Sequence, residues 1–132
     1  MSIQIDQLAA AVNRQLAAFA GATDEIVQKA TDDIARATVQ QLKATSPKAT
    51  GAYARSWKST KLKSGRHEYS RVIHAGDGEY RLTHLLEKGH NVVRGGKVVG
   101  RAKAYPHIAE AEQKAITDFE AEIRRKVEEI SR

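Results

Sequence analysis

RAKAYPHIAEA, residues 101–111, closes one sequence pattern and opens another. Before it the chain is basic and strand-like. After it, Ile108, Glu112, Ala115, Ile116, Phe119, Ile123, Val127 and Ile130 recur at steps of three and four, which places them on one helical face. The opposite face is Glu, Lys and Arg, with i,i+4 pairs available as Glu122–Lys126 and Glu120–Arg124. Pro106 suits the first helical turn, where a missing N–H costs nothing. The stretch therefore reads as a strand-to-helix joint, with Pro106 and His107 as its structural residues and a C-terminal helix over 106–131.

Upstream of the joint, NVVRGGKVVG (91–100) sets two Val-Val pairs around Arg94-Gly95-Gly96. Gly-Gly permits the positive φ that a tight hairpin turn needs. With Arg94, Lys97, Arg101 and Lys103, residues 91–103 are expected to form a mobile basic finger. LTHLLEKG (82–89) is short and apolar, a helical turn or a strand, and Gly89 suits a cap after it. Further back, HEYSRVIHAG (67–76) has strong β character. YARSWKSTKLKS (53–64) alternates, with Tyr53, Arg55, Trp57, Ser59 and Lys61 on one face. Ser64-Gly65-Arg66 would turn between these two runs, giving an antiparallel hairpin. Thr50-Gly51 and Asp77-Gly78 are flanking turn signals.

The first third reads as helix. Ile5, Leu8, Val12, Leu16 and Phe19 share one face, among alanines that favour helix. Gly21-Ala22-Thr23 is a break, with Thr23 capping a second helix that bears Asp24 and Glu25 in its first turn; one kinked helix fits equally well. In the second half Val27, Ala30, Ile34, Thr38 and Leu42 form a stripe, and Ser46-Pro47 ends it. The stripes are read as core faces, with a subunit seam as the alternative.

These elements assemble into an α+β fold: N-terminal helices (1–45), a small antiparallel β-sheet with a basic β-hairpin finger (50–103), and a long C-terminal helix packed on the sheet. The 132 residues suit a single domain, 1–132, able to bury about two-thirds of its unfolded surface. Without cysteine, disulfides and thiolate metal sites are excluded. No apolar run approaches the ~20 residues of a membrane span. Residues 1–15 show no basic segment ahead of an apolar one, so the expectation is an intracellular product without a signal peptide and without membrane contact.

Charge is segregated. Residues 1–42 hold three basic and five acidic side chains, and residues 104–132 hold five and seven, so each end is −2. The middle, 43–103, holds fourteen basic and four acidic side chains, net +10. Such a field favours an acidic partner, either nucleic acid or an acidic protein surface.

No catalytic or metal motif emerges. The five histidines, His67, His74, His84, His90 and His107, lack ligand spacing, although His84 and Glu87 could share a helical face. No GxSxG or SxxK appears, and Gly95-Gly96-Lys97 lacks the P-loop pattern. Neither a cofactor nor a metal is expected, and the chain is not expected to be an enzyme. A nucleic-acid face is the rival reading: Trp57 with Arg55, Lys58, Lys61 and Arg71 could stack bases and neutralise phosphates. Against it, a lone Trp more often serves the core.

The order of several short words then carries a resemblance. Pro47-Lys48-Ala49-Thr50-Gly51 is followed by Ser56-Trp57, then by His84-Leu85-Leu86-Glu87-Lys88-Gly89-His90, a basic glycine-bearing loop, and Pro106-His107-Ile108-x-x-Ala111. The series resembles the tail-completion or tail-component family of long-tailed double-stranded DNA bacteriophages, named after gene product ten of a lambda-like coliphage. The resemblance runs over roughly residues 5–130; Glu110 stands where the family often has a second proline. It implies a non-enzymatic structural virion protein acting in tail completion or head–tail joining at the neck, as a homo-oligomeric ring. Its partners would be further copies, the head–tail connector and tail proteins, with transient DNA contact left open. It would reside in the virion neck or tail, and in the host cytoplasm during assembly. On this resemblance Leu85 and Leu86 would pack on the core, and Glu87 and His90 would sit beside the finger. Arg94, Lys97, Arg101, Lys103, Glu87 and His90 would make assembly contacts. His107 would hold the joint as a hydrogen-bonding cap at the helix start.

Overall fold

The computed structural model describes residues 5–48, 51–76 and 78–131, with side chains except at positions 5–9, 15 and 80. Ala49, Thr50 and Asp77, and the side chains of Ile5 and Leu8, fall outside the described set.

Helix α1, Ile5–Thr45, is continuous for 41 residues, about 60 Å. The expected break at Gly21-Ala22-Thr23 does not occur. Thr23 does not cap; its hydroxyl donates back to the Phe19 carbonyl at 2.9 Å. A glycine inside a helix costs only about 1 kcal/mol, too little to interrupt so long a run. Ala30, Thr38 and Leu42 of the second stripe are buried as expected. Of the first stripe, Val12, Leu16 and Phe19 do not reach a core and are about half exposed or more.

The chain next makes a helical turn, α2 (Ala52–Arg55), where the alternation predicted strand. Gly51, at φ 81, opens it, and Ser56 Oγ donates to the Tyr53 carbonyl at 2.6 Å. Strand β1 runs Trp57–Gly65 and pairs antiparallel with β2, Glu68–Ala75. The turn sits one residue later than predicted, at Arg66-His67, with His67 at φ 61. A bulge at Leu62 interrupts the ladder. A 3-10 turn (Glu79–Arg81) leads into α3, Leu82–Lys88, so LTHLLEK is helical.

Strands β3 (His90–Arg94) and β4 (Lys97–Ala102) form a separate two-stranded sheet. Its turn places Gly95 at φ 57 and Gly96 at φ 78, which β-carbon-bearing residues rarely adopt. Helix α4 spans Ile108–Ile130. Pro106 is not inside its start but one residue before the N-cap, His107. On its outer face Glu122 pairs with Arg125, not Lys126, and Arg125 also reaches Glu129.

Helix α4 lies antiparallel along α1. Ile108 and Ala111 meet Val39 and Leu42 in the core, whereas Ile130 lies beside Ala22. Residues 5–21 of α1 therefore extend past the end of α4. The β1–β2 hairpin lies along α1 and is tied to it twice: His67 Nδ1 meets Asp24 at 2.9 Å, and Asp32 accepts from Tyr69 Oη and Arg71 Nε, both at 2.5 Å. The hydrogen bond from Tyr69, with the Arg71 guanidinium beside it, holds the Asp32 carboxyl below its ordinary value. The core is small and sits at one end, where α1 finishes and α4 begins. Val39, Leu42, Tyr53, Trp57, Ala75 and Ala111 are buried there, with Ile73, Leu86 and Ile108 against them.

Candidate functional site

Over that core the segments 84–90 and 105–111 lock together. Helix α3 presents Glu87 to the first turn of α4, whose N–H groups have no intrahelical partner. One carboxylate oxygen, Oε1, accepts from the His107 and Ile108 amides at 2.7 and 2.8 Å, and Oε2 accepts from Ala109 at 3.0 Å. Burial pushes the Glu87 carboxyl up, but these three amides outweigh it and its pKa is lowered. A carboxylate at a helix N-terminus also gains from the dipole.

His107 is the N-cap residue, yet its side chain makes no capping bond. The expected cap is supplied by Glu87 instead. The His107 ring is 1% exposed and ties three places together. Nδ1 lies 2.6 Å from the Tyr105 carbonyl and 3.1 Å from Glu87 Oε1, so it carries the proton there; Nε2 faces Tyr53 Oη at 2.8 Å. Tyr53, Trp57 and His107 pack edge to face, with centroids 5.6–6.2 Å apart. Burial raises the Tyr53 hydroxyl above its ordinary pKa. Both ring nitrogens of His107 are thus hydrogen-bonded within the fold.

The clasp also fixes the base of the β3–β4 hairpin. The Tyr105 amide donates to the Leu86 carbonyl at 2.7 Å, and Arg101 Nη2 donates to the Lys88 carbonyl at 3.0 Å. Gly89, at φ 73, sits so close to the returning strand that a Cβ would fall 2.6 Å from the Ala102 carbonyl oxygen and 3.1 Å from the Ala104 amide. Beyond this base the hairpin stands away from the body. Arg94, Lys97 and Lys103 are exposed, as are Val93, Val98 and Val99.

The expected contact residues therefore separate. Arg94, Lys97, Arg101 and Lys103 share the finger; Arg101 also ties it down. His90 begins β3, half-buried, with Nδ1 lacking a hydrogen-bond partner among the described residues. Glu87 faces α4, not the finger. Leu86 packs on the core as expected, but Leu85 is 42% exposed, because α3 turns only one side inward.

The rival nucleic-acid face is not assembled. Trp57 is 5% exposed and its Nε1 donates to Ser46 Oγ at 2.8 Å, so no base can stack on it in this fold. Arg71 is bound to Asp32, and Lys61 lies over the Tyr69 ring at 5.7 Å. Arg55 and Lys58 are exposed but flank no exposed Trp. Among the described residues, no three His, Asp or Glu side chains converge as a metal site, and no helix is long and apolar enough to cross a membrane.

In comparison with known families, the one described as "Bacteriophage HK97-gp10, putative tail-component" matches residues 10–89, about three-fifths of the chain. Comparison with curated proteins and with solved structures finds no match.

Proposed function

Because the chain belongs to the bacteriophage HK97-gp10 tail-component family, a family of structural tail proteins of the virion, we propose that it completes the tail at the neck, joining head to tail as a ring of copies. The observation that carries this reading is a rigid clasp supporting a projecting finger. Glu87, Gly89 and His107 fix the finger's base, while Arg94, Lys97 and Lys103 are left outward for a partner. Ring assembly at the neck needs such an arrangement, a stiff frame and a charged projection that meets the next subunit of the assembly. The role is mechanical and not enzymatic. The protein is made and assembled in the host cytoplasm and retained in the virion. Finger cations that line the passage would meet exiting DNA through its phosphates only, with binding that falls steeply as salt rises.

Deleting Asn91–Lys103 tests the proposal. The ends left behind are already neighbours, since Gly89 abuts Ala104. The shortened chain should keep its helical circular dichroism and a cooperative melt, losing only the β3–β4 strand signal, while phage carrying it should accumulate filled heads and unattached tails in electron micrographs. Normal infectious particles would show that the finger has no part in joining. The gene's neighbours supply an independent test. Portal and capsid genes on one side and a tail-tube gene on the other support the neck, whereas metabolic neighbours would oppose it.

A further inference from the structure

The finger has an apolar side that the fold leaves uncovered. Val93 and Val98 are cross-strand partners, and Val99 is the bulged residue beside them. Their exposures are 58, 63 and 58%. A lone two-stranded ribbon is marginal in water, and three bare valines add to its need for a covering surface. Around them stand Arg94, Lys97, Arg101 and Lys103, and residues 90–103 contain no acid.

A surface of the opposite kind lies on the flank of the body. A groove of about 480 Å³ runs between α1, β2 and α4, walled by Ile34, Ile73, Ile116 and Phe119. Ile116 is 46% exposed in it. The α4 side is acidic, with seven acids against four bases over Ile108–Ile130. Glu120 lines the groove, Glu112 stands one turn before Ile116, and the cation in the lining, Arg71, is already paired with Asp32. Both glutamates are exposed, and neither forms an ion pair among the described residues. Apolar floor and acidic rim thus match apolar tip and basic flanks. The finger does not occupy the groove of its own chain. It leaves the body at the start of α4, and the groove begins two turns further along, at Ala115.

We propose that the β3–β4 hairpin of one copy docks in the α1–β2–α4 groove of the next, valines against Ile116 and Phe119, and finger cations against Glu112 and Glu120. This rests on the reading above that copies associate, and it specifies how. The two surfaces are different patches, so the contact is head-to-tail and closes into a ring when the rotation allows. The overhanging start of α1, with exposed Val12, Leu16 and Phe19, is the competing occupant. Asp6 and Arg14 leave residues 5–21 with no net charge to match the acidic rim.

The absence of native cysteine makes a direct test available. Val98→Cys and Ile116→Cys chains are mixed and oxidised, as free protein at high concentration and in purified particles. A mixed 98–116 disulfide is expected to predominate over either homodisulfide, since bridging requires Cα atoms within about 7 Å. The double variant should give a ladder of multimers. An amine-reactive cross-linker on the cysteine-free chain reports association separately. Association without the 98–116 bridge overturns the docking and leaves the ring standing; no association under any condition overturns both. A dominant bridge between Phe19→Cys and Ile116→Cys would assign the groove to α1 instead. As a second readout, Arg94→Glu with Lys97→Glu should weaken association about tenfold or more. Adding Glu112→Arg and Glu120→Arg should restore it. Failure of both the loss and the rescue would count against the contact.

Discussion

The Glu87 carboxylate accepts the backbone amide of His107 at 2.7 Å across 20 residues of sequence. With the Ile108 and Ala109 amides also bound, one side chain from α3 sets where α4 begins. Two of the words that carry the family resemblance are two halves of one contact: the Glu belongs to HLLE-x-GH and its donors belong to PHI-x-x-A.

Glu87→Ala is expected to destabilise the protein by about 2–3 kcal/mol, from lost capping and unpaired amides. Urea unfolding followed by the fluorescence of Trp57, the only Trp, measures it. A loss below about 0.5 kcal/mol, the size of an ordinary surface change, would mean that the cap is not needed.

Acid should weaken the fold through the same group. The carboxyls of Glu87 and Asp32 are held below their ordinary values of 4.5 and 3.8. A depressed folded pKa gives stability that is present above the unfolded value and lost as pH falls through the folded one. Stability from these groups should therefore be level at neutral pH and decline as pH drops below the mid-fours. Glu87→Gln should show a shallower decline in urea midpoint. Parallel declines in both proteins would remove Glu87 as a cause.

Two glycines should respond to alanine with opposite signs. Gly21 sits inside α1 with open space around it, so Gly21→Ala should stabilise by about 0.5–1 kcal/mol. Gly89 combines φ 73 with the close Ala102 carbonyl, so Gly89→Ala should destabilise by more than about 1 kcal/mol. Thermal melts of the pair decide this, and destabilisation by Gly21→Ala would contradict a continuous α1.

Trp57→Ala should cost about 3–5 kcal/mol, as for other buried aromatics. Far-ultraviolet circular dichroism should show a large drop in melting temperature. Loss of nucleic-acid binding in that variant would report unfolding and not a stacking role. A substitution with little thermal effect would show that Trp57 is not the core residue described.

Much of this was legible in the sequence, for local reasons. The α4 stripe, the Gly-Gly turn and the Thr38–Leu42 stripe each follow from spacing within a few residues. The α2 turn was hidden because Tyr53 and Trp57 share a face under both a period of two and a period of 3.6, so alternation could not tell strand from helix. The first α1 stripe shows which face is apolar and not what covers it, and Val12, Leu16 and Phe19 are left bare. The cap was missed because a capping box is sought three residues from the helix start, and Glu87 acts from another element. A lone acid shortly ahead of a glycine and a hairpin was the available signal.

The clasp closes behind the finger. Its donors come from one side of residues 90–102 and its acceptor from the other, so the body is complete without them. Finger length then becomes a free variable: doubling the closed loop costs only about 0.6 kcal/mol in closure entropy. Longer, shorter or differently charged fingers can be carried on the same core, so finger and groove can change together while the buried sequence stays fixed.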